Sequence, residues 1–123
     1  MADGGKVVIN LTAGMDDQER LICAFLVGNA ALEQGKQVAM FLTKEAVRLT
    51  MPGVATGVAC DGCPPLEHVF SQYAENGGEL LACPFCFNTR KLDESQLVSN
   101  ARVAGATPLW EWIGEEAATV FSF

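Results

Sequence analysis

Apolar residues recur along this chain in two alternating rhythms, one of strands and one of helices. Lys6-Val7-Val8-Ile9-Asn10-Leu11 is β-branched and almost continuously apolar, as expected of a strand buried on both faces of a parallel sheet. Thr12-Ala13-Gly14 turns it. Asp16, Asp17 and Glu19 then supply an N-cap and first-turn carboxylates, and Leu21, Ile22, Phe25, Leu26 and Leu32 carry a helix to about Gln34, where Gly35 stops it. Lys36 to Thr43 is the second strand, and Lys44 to about Leu49 a short helical turn. Two parallel strands joined by one long helix form a βαβ unit.

From Thr50 to Pro65 the chain is rich in glycine, proline and small residues, and a loop of that length inside a compact domain is more often functional than accidental. Pro64 and Pro65 open a helix with Leu66, Val69, Phe70 and Tyr73 at helical spacing, closed by Asn76-Gly77-Gly78. Glu79 to Ala82 is the third strand, with Cys83-Pro84-Phe85-Cys86 directly after it. A helical segment is predicted from about Asp93 to Asn100, then a short strand Arg102-Val103-Ala104. Thr107 and Pro108 start a last helix that passes through Leu109, Trp110, Trp112 and Ile113 to Glu115 or Glu116, and Ala118 to Phe123 is the final strand. This order predicts a three-layer α/β/α sandwich on a mostly parallel five-stranded sheet, in a single domain spanning 1–123.

Charge and composition narrow the function. A formal charge of −7 opposes a nucleic-acid partner, whose binding is driven largely by Lys and Arg displacing counterions, and it disfavours anionic membranes. The first residues do not form a signal peptide, and no apolar run approaches the ~18 residues of a membrane span, so a cytoplasmic protein is expected. The loop after the first strand is where nucleotide-binding α/β folds seat a phosphate, but Asp16, Asp17 and Glu19 would repel one, and there is no G-x-G-x-x-G.

Cysteine is the residue type with chemistry to assign. In a reducing compartment paired cysteines are more often catalytic, redox-sensing or metal-binding than structural disulfides, and five is an odd count for a closed disulfide framework. The predicted topology puts Cys60 and Cys63, in the long loop, and Cys83 and Cys86, past the third strand, at the carboxyl edge of the sheet, where open α/β folds place their sites. Three uses are open. Cys83 can be a nucleophile, its thiolate stabilised by nearby amides, a following helix and Arg90, with Cys86 resolving it or receiving its sulfur. Alternatively Cys60, Cys63, Cys83 and Cys86, spaced C-x2-C, nineteen residues, C-x2-C, can hold zinc or an iron–sulfur cluster. In the third, the thiols are small buried residues, the common fate of a lone one such as Cys23 inside an apolar helix. His68 is expected to be a solvated helix residue. Trp110, Trp112, Phe121 and Phe123 suit either an interface patch or the core.

The run Cys83-Pro84-Phe85-Cys86-Phe87-Asn88-Thr89-Arg90, a CxxCxxxR pattern after the third strand of a small five-stranded α/β protein, resembles the DsrE/DsrF family, which includes TusBCD-type sulfur-relay subunits. The likeness extends to the opening strand and helix, Val103-Ala104-Gly105-Ala106 before a helix, and the final Val120-Phe121-Ser122-Phe123 strand. The resemblance implies a DsrEF-like fold, assembly as a trimer or hexamer, and a sulfur donor or acceptor protein as partner. It further implies a persulfide on Cys83, with Cys86 and Arg90 at the matching family positions and no cofactor. Two features depart from it: Lys91 stands where a glycine usually follows the arginine, and the Cys60/Cys63 pair lies outside the pattern. CPFC also looks like a glutaredoxin site, but that family carries the pair after its first strand.

Overall fold

The computed structural model describes residues 5–59 and 61–123, and so leaves Cys60 outside the described residues. It places β1 (Lys6–Leu11), α1 (Gln18–Glu33), β2 (Gln37–Leu42), α2 (Leu66–Glu75), β3 (Glu79–Ala82), α3 (Pro84–Thr89), β4 (Ala101–Val103), α4 (Ala106–Ile113) and β5 (Ala118–Ser122) in order along the chain. A 3₁₀ segment, Lys44–Thr50, follows β2, and a single 3₁₀ turn, Glu94–Gln96, precedes β4. The strands form one sheet in the order β4-β3-β2-β1-β5, with every neighbouring pair parallel. The expected α/β/α sandwich is present.

The helix that follows β3 starts immediately after Cys83, and one later segment differs from expectation. Directly after Cys83 the chain enters α3, because Cys83 is extended at the N-cap and Pro84 follows at the first helical position, where its fixed φ suits a helix and its missing N–H costs nothing. The helix expected over 93–100 shrinks to one turn. There Asp93 Oδ1 accepts from both the amide and the hydroxyl of Ser95 at 2.9 and 2.7 Å, a local closure that competes with helix propagation. The Val98 amide is drawn away to the Thr50 carbonyl at 2.8 Å.

Side-chain alternation divides the core between the two faces of the sheet. Val7, Ile9 and Leu11 of β1, Val38, Met40 and Leu42 of β2, and Leu80 and Ala82 of β3 point to one side, where α1 and α2 cover them with Leu21, Ile22, Phe25, Leu66, Val69 and Tyr73. α1 begins as expected, with Asp17 accepting from the Arg20 amide. It ends in paired bonds from Gly35 to Leu32 and Lys36 to Ala31, the Schellman closure that a glycine at φ +82 permits. The opposite face carries a smaller cluster, Ala39, Leu81 and Ala104, packed by Phe41, Leu109 and Trp112. Here α4 is moored by Lys6, whose ammonium donates to the carbonyls of Trp112 and Ile113 at the helix end and lies 5.2 Å from the Trp112 ring centroid. Trp110 on α4 and Val120 on β5 stay 71% and 60% exposed, so this side is only partly covered.

Tyr73 shows how tightly the larger side is packed. Its ring is fully buried, its hydroxyl donates to the Glu79 carbonyl at 2.7 Å, and burial raises the phenol pKa well above its ordinary value. A Cβ on Gly78 would lie 2.4–2.5 Å from three atoms of that ring. Gly78→Ala is therefore expected to lower stability by about 1–3 kcal/mol through overpacking. Tyr73→Phe, which removes one buried hydrogen bond, should cost about 1 kcal/mol. Urea denaturation of both variants tests this; an unchanged midpoint for Gly78→Ala would contradict the packing described.

Candidate functional site at the carboxyl edge

The strand exits stand in a row. In the parallel register Leu11 pairs with Leu42 and Leu42 with Ala82, so β1, β2 and β3 end level. Each exit is then held by one more bond to its neighbour: Thr43 N–H to Leu11 at 3.0 Å, Cys83 N–H to Leu42 at 2.9 Å, and Ala104 N–H to Ala82 at 3.0 Å. Cys83 is thus fixed through its backbone at the edge of the sheet. Its carbonyl accepts from Phe87 N–H at 2.9 Å, and the buried Phe87 ring anchors α3 in the core.

Cys83 and Cys86 occupy the N-cap and third helical positions, the two places whose side chains face one another at a helix start. Both are free thiols and both are half-buried. The Cys83 side chain makes no capping hydrogen bond. Between the two cysteines, Phe85 projects outward at 84% exposure. A Cβ on Gly105, in the loop after β4, would lie 3.4 Å from Pro84 Cδ, so that loop packs closely against the proline.

Arg90 lies past the end of α3, and its guanidinium is directed at protein oxygens. Nε donates to Glu45 Oε2 at 2.7 Å and Nη1 to the Cys86 carbonyl at 3.3 Å. Glu45 belongs to the 3₁₀ segment after β2, and its other oxygen accepts from Arg48 Nε at 2.8 Å. Arg90 first, and then Arg48, hold the Glu45 carboxyl below the usual carboxylate range. A Cβ on Gly14 would stand 2.5 Å from the Glu45 carbonyl oxygen, so the loop after β1 presses on the same backbone. Lys44 and Lys91, immediately before Glu45 and immediately after Arg90, adopt φ of 54° and 55°. At Lys91 the left-handed conformation is one that a glycine would adopt without steric cost. Glu45 was not singled out in the sequence: its i,i+3 spacing to Arg48 was legible, but nothing linked it to Arg90.

The upstream cysteine lies elsewhere. Cys63 is half-buried and disulfide-bonded, and it lines a hollow with Asp17, Glu19, Arg20, Cys23 and Phe123 that includes neither Cys83 nor Cys86. A disulfide-bonded Cys63 offers no thiolate to a four-cysteine site. Among the described residues no group of three or more His, Cys, Asp and Glu is placed to hold a metal ion. Cys23, expected to be buried, is exposed: Leu21, Ile22, Ala24 and Phe25 take the inward positions of α1 and leave Cys23 on the outer face. His68 is exposed, as expected. The aromatics divide, with Trp112 and Phe123 packed against the core clusters and Trp110 and Phe121 exposed.

Because the folded-state pKa of Glu45 is depressed, its ion pair with Arg90 is fully formed above the ordinary value near 4.5 and is lost as pH falls through the lower folded value. The Arg90 Nε–H resonance should shift only in that acid range. Glu45→Gln at pH 7 should reproduce the acid spectrum and raise the alkylation rate of Cys86 severalfold. A variant whose Arg90 signal matches wild type would refute the coupling.

Comparison with known proteins covers nearly the whole chain. The model of the DsrE/DsrF-like family matches residues 5–123. An uncharacterized protein of Methanopyrus kandleri, MK0008, is 29% identical over 104 residues, which is 85% of this chain and 83% of that one. Among solved structures the ychN protein from E. coli superposes with a TM-score of 0.78 at 18% identity, covering 97% of this chain and 99% of that one. MTH1491 of Methanobacterium thermoautotrophicum, a protein of unknown function, gives 0.70 at 13% identity over 97% and 99% of the two chains. At such identities the structural likeness shows the fold.

Proposed function

The chain belongs to the DsrE/DsrF-like family, and on that premise we propose that it is a sulfur-handling thiol protein in which Cys83 accepts and passes a sulfane sulfur as a persulfide. The observation that carries this reading is the free thiol pair at the N-cap and third position of α3, with the Cys83 backbone bonded to Leu42 and its side chain unused in capping. The Cys83 thiolate attacks the outer sulfur of a donor persulfide; the new S–S bond forms as the donor's own S–S bond breaks, and the donor leaves as a thiolate. An acceptor thiolate then takes that outer sulfur and returns Cys83 as a thiolate. Without an acceptor, Cys86 attacks the inner sulfur, closing a Cys83–Cys86 disulfide and expelling hydrosulfide. Arg90 is a positioning residue that ties the Cys86 carbonyl to Glu45.

The donor and acceptor are proteins, and the exposed Phe85 beside the thiols gives them an apolar contact. Exposed Trp110, Val120 and Phe121 support assembly of the chain with itself as a trimer or hexamer. Among the described residues no helix is long and apolar enough to cross a membrane. The cytoplasm, where thiols stay reduced, is the compartment in which this pair would work.

Incubating reduced protein with a small persulfide donor and weighing the intact chain tests the proposal. Wild type should gain the mass of one sulfur on the Cys83 peptide, and Cys86→Ser should retain that sulfur longer. Cys83→Ser should gain none there. If wild type never gains sulfur and only shuttles between dithiol and disulfide, the protein is a redox carrier and sulfur transfer is refuted.

A further inference from the structure

The two edges of the sheet are built differently. β4, at one edge, is three residues long and carries the exposed Arg102 at its centre, a charge of the kind that blocks pairing with another chain. β5, at the other, runs from Ala118 to Ser122 with no charged residue, no proline and an unbroken register against β1. Phe123 donates its N–H to the Asn10 carbonyl at 2.8 Å and accepts from the Thr12 N–H at 2.9 Å. Backbone direction alternates along a strand, so Phe121 and Thr119 also turn their N–H and C=O groups to β1, while Ala118, Val120 and Ser122 turn theirs to the open edge. Beside that edge, on the α1 side of the sheet, Val7, Val27, Ala30, Ala31, Thr119 and Phe121 line a hollow of about 410 Å³. We propose that β5 pairs antiparallel with β5 of a second copy of this chain about a two-fold axis at Val120, joining the two sheets into one.

The register follows from the backbone. Only residues whose groups point outward can exchange ladder bonds, and centring on Val120 uses all of them: Val120 pairs with the partner's Val120, and Ala118 with the partner's Ser122. Thr119 then faces the partner's Phe121 as a non-hydrogen-bonded pair, the closer of the two antiparallel spacings. Opposed residues share a sheet face, so the partner's Phe121 stands with Thr119 on the side of the hollow, where its 40% exposed ring gains an apolar seat. Symmetry repeats that contact in the other copy. On the opposite face Val120, 60% exposed, covers its own counterpart. Charge selects the occupant. The chain carries a formal −7, yet β5 offers a partner no counter-charge, so an ionic segment gains nothing on the strand, whereas a second copy matches it residue for residue. A five-residue edge by itself falls short of the ~800 Å² per partner of a standard interface, so the contact is weak, depends on Phe121, and is opposed by repulsion between two anionic chains. This names a surface for the self-assembly proposed above: a two-fold contact builds dimers, or hexamers from paired trimers, and is absent from an isolated trimer. It uses no thiol, so its failure leaves the sulfur reading of Cys83 standing.

Sedimentation velocity of the intact protein at low and high salt tests the proposal. Wild type should form dimers or hexamers that tighten as salt screens the repulsion between copies. Val120→Arg sets two like charges against each other at the axis, on an exposed position. It should raise the dissociation constant of the two-fold contact ~tenfold or more, with an unchanged circular dichroism spectrum. Val120→Cys should oxidise to a covalent dimer linked at position 120 on peptide mapping, since hydrogen-bonded partners stand ~5.5 Å apart between Cα atoms, within reach of a disulfide. Thr119→Cys, placed opposite Phe121, should form no link to its own counterpart. A wild type that stays monomeric or trimeric at every soluble concentration would overturn the proposal. So would an assembly that Val120→Arg leaves intact, or one that weakens with salt and is therefore held by opposite charges.

Discussion

The hydrogen bond from the Cys83 amide to the Leu42 carbonyl is the constraint on which the rest of the site depends. It extends the β2–β3 ladder by one residue beyond the end of β3, so the first cysteine of the pair is still held by the sheet while its side chain already belongs to a helix. Pro84 makes the switch abrupt, since it cannot continue the ladder and is pre-set for the first helical position. Phe87, buried one turn later, anchors that helix. Backbone bonds, proline and one buried ring thus orient two thiols without using either sulfur.

A second layer of control runs sideways along the edge. Glu45 joins the exit of β2 to the end of α3 through Arg90, and Gly14 brings the exit of β1 against the same backbone. Three strand exits are therefore mechanically linked next to the thiols. Both halves of the ion pair adjoin a lysine in the left-handed region, a conformation that costs on the order of 1–3 kcal/mol at a non-glycine residue and persists only where neighbouring contacts impose it. The double acceptance by Glu45, from Arg48 and from Arg90, is such a contact.

The two sides of the sheet are unequal. α1 and α2 seal one face with large aliphatic and aromatic side chains, whereas α4 spans the other almost alone and depends on Lys6 at its end. In the β1–β5 register Val120 lies beside Val8 and Phe121 beside Ile9. Their β1 neighbours are buried, yet β5 is an edge strand and both of its residues are exposed. The apolar surface that a second copy of this chain could cover is therefore concentrated on β5 and α4.

Much of this was determined by the sequence itself. The β-branched runs, the Asp17 cap, the Gly35 stop and the glycine-rich turns specified strands and helices because those signals act over a few residues, where local sterics and hydrogen bonding decide. The CxxCxxxR spacing likewise put Cys83, Cys86 and Arg90 on one short segment. Tertiary structure decided what each of them faces. Arg90 meets Glu45, forty-five residues upstream, because the 3₁₀ segment after β2 and the helix after β3 leave adjacent strands. Cys63 shares a hollow with Cys23 because its loop reaches the start of α1, not α3. Such partners depend on which strand exits are neighbours and on where a long loop settles, and no spacing along one chain encodes either.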